Sequence, residues 1–203
     1  GIFTKSAKHL IYAVLADCES YGTVETKYAG AGGIVGNMDY GLIRNAVSGG
    51  VVMSTDGDYV GGIAGYSAGT IDHCMARVRL SGKNYIGGIA GRGSMITGSF
   101  TITEIGGASE RVGAICGAFD GEVLENYFCT DPDSPLCGGI DGISYAGKAE
   151  PVSYDELLEK TGDAALFSDT IVTFVKDGET IAQLHVPFGG AIDVADIPVV
   201  ADR

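Results

Sequence analysis

The sequence predicts an all-β fold: a short, β-helix-like solenoid of coils about 26 residues long, followed by a short helix and a small β-hairpin module. Three observations carry this expectation. A five-residue step recurs as Gly32-Gly33-Ile34-Val35-Gly36, Gly61-Gly62-Ile63-Ala64-Gly65, Gly87-Gly88-Ile89-Ala90-Gly91 and, worn, Gly113-Ala114-Ile115-Cys116-Gly117. The copies start 29, 26 and 26 residues apart, and a fixed period in this range means one supersecondary unit stacked on itself. Between the steps apolar residues alternate: Ala76, Val78 and Leu80 interleave with Met75, Arg77 and Arg79, the period of a half-buried strand. No window of residues 20–130 carries a clean helical period.

The likeness between copies extends beyond the glycines. Gly69, Ile71, Cys74 and Val78 follow one copy; Gly93, Ile96, Ser99 and Ile102 follow the next. Gly41, Ile43, Ala46 and Val51 precede them in phase, and Gly121, Val123 and Asn126 come last. A unit this short is too small for a crossover helix plus strands but suffices for one β-coil. Alone it cannot bury its apolar face; stacking supplies the missing half. Coils about 4.8 Å apart make a body roughly 20–25 Å long from four or five units. Glycine is expected at the steps for positive φ at corners and for close backbone approach.

Leu15, Cys18 and Val24 can be laid on Ile71, Cys74 and Leu80, which reads as an incomplete first coil. The same stretch allows a short capping helix over 6–16, with Leu10, Val14 and Leu15 inward. Either would cover an end that otherwise templates aggregation. Composition changes near residue 150. Residues 1–150 read as the solenoid with its exit segment, 151–165 as a short helical linker, and 166–203 as a small β module. Ser153 and Glu156 fit a capping box, with the helix running to about Lys160 and Gly162 ending it. Asp177-Gly178 between Ile171–Val175 and Thr180–Val186 signals a hairpin. A third strand is expected near Ile197–Val200, with the module leaning on the end of the solenoid as its cap.

The four in-phase steps resemble the GLUG motif, a glycine-rich repeat of bacterial cell-surface proteins and of non-catalytic parts of some immunoglobulin A peptidases. The resemblance covers about residues 30–130 and departs at Ala114 and in the shortened turn after Gly91. Val172-Thr173-Phe174, Asp177-Gly178, Val186-Pro187-Phe188-Gly189-Gly190 and Ile197-Pro198 resemble the start of a Listeria–Bacteroides-type surface repeat. That family continues into an aromatic-rich closing strand, so the module is expected to be cut short at Arg203. The resemblances imply an extracellular or cell-surface location and an adhesin-like stalk or binding scaffold. They imply no catalytic residue.

Composition narrows the partners. Twenty-six acidic against 13 basic residues give a net charge of −13, which argues against nucleic acid and anionic membranes. The longest apolar runs fall far short of the roughly 18 residues of a membrane-spanning helix. The cell-surface resemblance leaves two readings open, a module that binds an unidentified host protein or glycan and a mechanical spacer with no ligand. No motif requires a cofactor.

Of five cysteines, Cys116 takes the slot of Val35, Ala64 and Ala90, and Cys74 that of Ala46, Ser99 and Asn126. Both read as small buried residues. Cys18 would lie two coils from Cys74, beyond disulfide reach. Cys129 and Cys137 bracket a proline-rich loop outside the repeat and are expected to pair, at about 2–3 kcal/mol of chain entropy.

Sharper motifs yield to the repeat. Gly65-Tyr66-Ser67-Ala68-Gly69 matches a nucleophile elbow, but no helix is expected after it, and other coils place no serine there. Gly30 to Gly36 only loosely resembles a dinucleotide loop. Asp56-Gly57-Asp58 and Asp131-Pro132-Asp133 offer too few oxygens for a calcium loop. His9, His73 and His185 show no metal-ligand spacing. A non-catalytic module is therefore expected over the alternative, a β-helix polysaccharide-degrading enzyme. Such an enzyme needs a long groove with carboxylates in phase, and Asp72 aligns with Arg44, Thr97 and Leu124.

Overall fold

In the computed structural model, the described residues are 13–107, 110–130, 139–140, 147–186 and 191–199. They form a β-solenoid of about five turns, with coils about 27 residues apart, followed by one helix and a hairpin.

Each coil contributes to three parallel sheets. The first runs Ala13–Ala16, Gly41–Arg44, Ala64–Asp72, Ala90–Thr97, Cys116–Leu124, with Val35–Met38 also paired to Ala64–Asp72. The second runs from Val47–Ser54, flanked by Glu19–Ser20 and Thr23–Thr26, through Met75–Ser81, Phe100–Gly106 and Asn126–Thr130 to Ala149–Pro151. The third stacks Ala31–Gly32, Val60–Gly61, Asn84–Gly87 and Glu110–Gly113. The registers place Leu15 on Ile43 and Ile43 on Ile71, and Val24 on Val52 and Val52 on Leu80. Residues 13–16 are therefore an added strand of an incomplete coil, not the end of a capping helix. Their alignment with Gly41–Arg44 satisfies backbone groups that a helix would have to pair within itself. Residues 6–12 lie outside the described residues.

The recurring step is the tightest contact between coils. Ile63 and Ala64 both donate their N–H to the Ile89 carbonyl, at 2.9 and 3.0 Å, and Ile89 and Ala90 both donate to Ile115, at 2.9 and 3.1 Å. A Cβ on Gly62 would overlap the Gly88 carbonyl, and one on Gly88 the Ala114 carbonyl. A Cβ on Gly61 or Gly87 would overlap the carbonyl three residues ahead in its own turn. A Cβ on Gly65, Gly91 or Gly117 would come 2.7 Å from a carbonyl of the preceding coil. None of these glycines has positive φ. Close approach alone explains them, and the expectation of positive φ at the steps is corrected.

Positive φ occurs at two other corners. One takes Asp17, Asn45, His73, Gly98 and Glu125, with φ between 49° and 57°. The other takes Gly30, Tyr59, Tyr85 and Arg111. Just after the first corner lies a buried column of Ala46, Cys74, Ser99 and Asn126. Asn126 is fully buried, yet its amide nitrogen donates to the carbonyls of Ile96, Leu124 and Lys148, and its oxygen accepts from Ser99 N–H at 2.9 Å. The rest of the core is β-branched. Ile43, Ile71 and Ile96 form one fully buried column, and Ile63, Ile89 and Ile115 another. Burying each such side chain contributes about 1.5–3 kcal/mol.

The last coil is covered by the exit segment. Gly139 accepts from Ile115 and Cys116 at 2.8 and 3.1 Å, Ile140 bridges Cys116, and Ala149–Pro151 pairs with Asn126–Thr130. The helix Tyr154–Thr161 starts with the expected capping box at Ser153 and ends at Gly162, φ 63°. Its Leu157, with Leu166 and Phe167, packs on the outward side chains of the second sheet, among them Met75, Phe100, Ile102 and Tyr127. Arg77 reaches out of that sheet to donate to the Phe167 carbonyl at 2.9 Å.

The strands Thr170–Lys176 and Glu179–Val186 pair antiparallel around Asp177 and Gly178, both at positive φ. Among the described residues they pair only with each other. No strand follows over 197–199. Asp193 instead caps a 3-10 turn, Val194–Asp196, by accepting from Ala195 N–H at 2.9 Å, and Val199 is 97 % exposed with no sheet to join.

Gly88→Ala is expected to lower unfolding free energy by about 1–3 kcal/mol, because the overlapped atom is backbone of the next coil. Gly106→Ala, where a Cβ meets nothing within 4 Å, is expected to be neutral or mildly stabilising. Urea denaturation of the two variants checks this; equal losses would contradict it. Asn126→Ala orphans several buried groups and is expected to cost about 2–4 kcal/mol, read by the same measurement.

Candidate functional site

Among the described residues, those singled out from sequence do not assemble into a reactive site. Ser67 is 1 % exposed and its hydroxyl has no hydrogen-bond partner among the described residues. The strand Ala64–Asp72 runs through it, so the helix that an elbow requires is replaced by continuing sheet. The step within Gly30 to Gly36 is a coil contact, with Gly33 and Ile34 donating to the next coil. His73 lies exposed against the Asp72 carboxylate at 2.7 Å, and that carboxylate also accepts from Thr97 at 2.8 Å. His185 is exposed on the hairpin; His9 lies outside the described residues. Among the described residues no group of three or more His, Cys, Asp or Glu side chains could hold a metal ion. Asp56 and Asp58 line an open groove of about 310 Å³ together with Lys27, Tyr28 and Lys83, and Asp58 accepts from Asn84 at 3.1 Å. Asp131 and Asp133 lie outside the described residues.

Cys18, Cys74 and Cys116 are free thiols. Burial pushes the Cys74 and Cys116 thiols up to about 12. Cys129 stands on the second sheet beside the helix core, and the pairing expected with Cys137 lies outside the described residues.

A different cluster is formed by the second positive-φ corner. In consecutive coils Gly30, Tyr59, Tyr85 and Arg111 take φ of 86°, 65°, 58° and 57°. The Tyr59 and Tyr85 rings lie 4.9 Å apart between centroids, tilted by 37°. The Arg111 guanidinium sits 5.1 Å over the Tyr85 ring. On the adjoining first sheet, Asn37, Tyr66 and Arg92 are in register. Tyr66 meets Tyr59 edge to face at 6.0 Å, a favoured aromatic geometry. Arg92 holds Asp120 by two bonds of 2.8 Å. That pairing keeps the Asp120 carboxyl below its ordinary range, so it is ionised at neutral pH. All three tyrosines are half-buried and Arg111 is exposed. The corner thus carries three flat rings, two guanidinium groups and a carboxylate.

Sequence reasoning passed over this cluster. Its signal was present: Tyr59 and Tyr85 occupy the same place two residues before the recurring step, where the preceding coil has Gly30 and the following one Arg111. Comparison of the chain with protein-family models, curated proteins and solved structures found no match.

Native protein treated with iodoacetamide near pH 8 is expected to leave Cys74 and Cys116 unmodified, as mass spectrometry would show. Denatured without reductant, the chain should expose three reactive thiols if Cys129 and Cys137 pair; five would overturn the pairing. A linked outcome concerns pH. Below about pH 8 these thiols stay protonated, folded or unfolded; above about pH 9 only the unfolded chain releases their protons. Their contribution to stability is therefore lost as pH rises from about 9 toward 12.

Proposed function

We propose that this chain is a non-catalytic extracellular module, an adhesin-like stalk or binding scaffold of a bacterial cell-surface protein. The observation that carries the reading is the use the coils make of their chemistry-bearing residues. Ser67 and both deep thiols are spent on packing, and Asp72 is tied to Thr97 and His73. Along the column of Asp72 the neighbours are Arg44, Thr97 and Leu124, so no second carboxylate stands in that column. Glycoside hydrolysis ordinarily needs two carboxylates facing each other across a substrate. The in-phase likeness to the GLUG repeat supports the cell-surface assignment.

Two measurements test it. Incubation with a panel of polysaccharides is expected to release no reducing ends; steady release would make the chain an enzyme. Antibodies raised against the chain should label intact source cells, and labelling only after permeabilisation would remove the surface role.

A further inference from the structure

We propose that residues 152–169 form a hinged strap that opens as one unit while the coils stay stacked, with Arg77 as the latch at its far end.

The strap and the coils keep separate cores. Ala76, Val78 and Leu80 of the strand Met75–Ser81 belong to the buried interior of the solenoid. Met75, Phe100, Ile102 and Tyr127 stand on the other face of that sheet and pack against Leu157, Leu166 and Phe167 of the strap. The sheet itself lies between the two cores, so lifting the strap leaves the solenoid interior packed.

The backbone is divided in the same way. Met75–Ser81 pairs over seven residues with the strand on each side. The strap has its last bond to a coil at Val152, whose N–H donates to the Phe128 carbonyl at 3.0 Å. Beyond that point, among the described residues, the backbone bonds of 153–168 close within the strap: Leu157 donates to Ser153, Gly162 to Glu159, and Phe167 and Ser168 to Ala164. Val152 is thus the hinge, directly after the segment Ala149–Pro151 that ends the ladder. Past the strap, the hairpin pairs only with itself among the described residues, so no ladder holds that end either.

The far end is held by Arg77. This residue is in register with Gly49 and Ile102, so the coil is built equally well without a cation at that place. Its guanidinium donates to the Phe167 carbonyl at 2.9 Å and to that of Leu166 at 3.4 Å, and lies 3.8 Å from the Asp169 carboxylate. The Phe167 carbonyl also accepts from the Tyr154 hydroxyl at 2.6 Å, which ties the latch point back to the start of the helix. Both ends of the strap meet there, and it opens as a whole rather than fraying from one end. An eight-residue helix is marginal in water by itself, so Tyr154–Thr161 melts once Leu157 leaves the sheet. A segment with few bonds to its neighbours and a small core of its own is the kind that opens below the global unfolding free energy. Opening bares Met75, Phe100, Ile102 and Tyr127 while the coils remain paired.

Hydrogen–deuterium exchange of the full chain, read by mass spectrometry across a urea series below global unfolding, tests the strap. Peptides from 154–168 are expected to lose protection together, at lower urea than peptides from Ala90–Thr97 and Phe100–Gly106. Arg77→Met keeps an apolar stem over the sheet and removes the charged donors. It should speed exchange in the strap about tenfold or more and leave Ala90–Thr97 unchanged. Arg79→Met, at the exposed pair with Glu104, should alter neither. Strap and coil peptides that lose protection at the same urea concentration overturn the hinge, and this arm needs no variant. Strap exchange that Arg77→Met leaves unmoved overturns the latch.

Discussion

Everything in this solenoid depends on how closely one coil approaches the next at the Gly-Gly-Ile step. There a single isoleucine carbonyl accepts two N–H groups from the neighbouring coil, and a neighbouring carbonyl stands where the second glycine's Cβ would be. Sheet spacing elsewhere in the coil is set by ordinary parallel pairing, which tolerates any side chain. At the step it is set by backbone against backbone. The sequence therefore repeats most strictly where side chains are forbidden. The isoleucine inside each step is drawn into a buried column as a consequence, since the two N–H bonds on either side fix its direction.

The two positive-φ corners show what happens once that constraint is met. One turns into a buried column where Asn126 and Ser99 take over the backbone bonding of the bend. Chemistry is dictated there, because an unpaired buried amide is costly. The other corner faces outward, and its backbone bonds run directly from coil to coil, as from Ala31 to Tyr59 at 3.0 Å. Nothing about closing the turn specifies its side chains. Its side chains instead stack from coil to coil, Tyr59 on Tyr85 at 4.9 Å between centroids and Arg111 over Tyr85 at 5.1 Å.

Much of the architecture could be read from residues alone, because its causes are local or periodic. Ile71 on Ile43, Cys116 on Ala90 and Asn126 beneath Ser99 all follow from counting between glycines. The capping box at Ser153 and the Asp177-Gly178 turn were legible for the same reason: each is decided within four residues. What failed was non-local. A strand near Ile197 needs a partner edge, and no alternation of residues guarantees one. The strand at 13–16 looked equally like helix, because only the edge of Gly41–Arg44 decides between them.

The sequence by itself thus determined the repeat, its period, the inward columns and the scaffold role of Ser67 and Cys116, since all of these are consequences of stacking one unit on itself. Only the tertiary structure decided which property each glycine supplies, and it chose close approach over positive φ. Only the tertiary structure, too, brought Tyr59, Tyr66, Tyr85, Arg92 and Arg111 into one cluster. Residues 26 apart in the chain become neighbours when coils lie one strand spacing from each other, and a corner joins two sheets whose residues the linear order keeps separate.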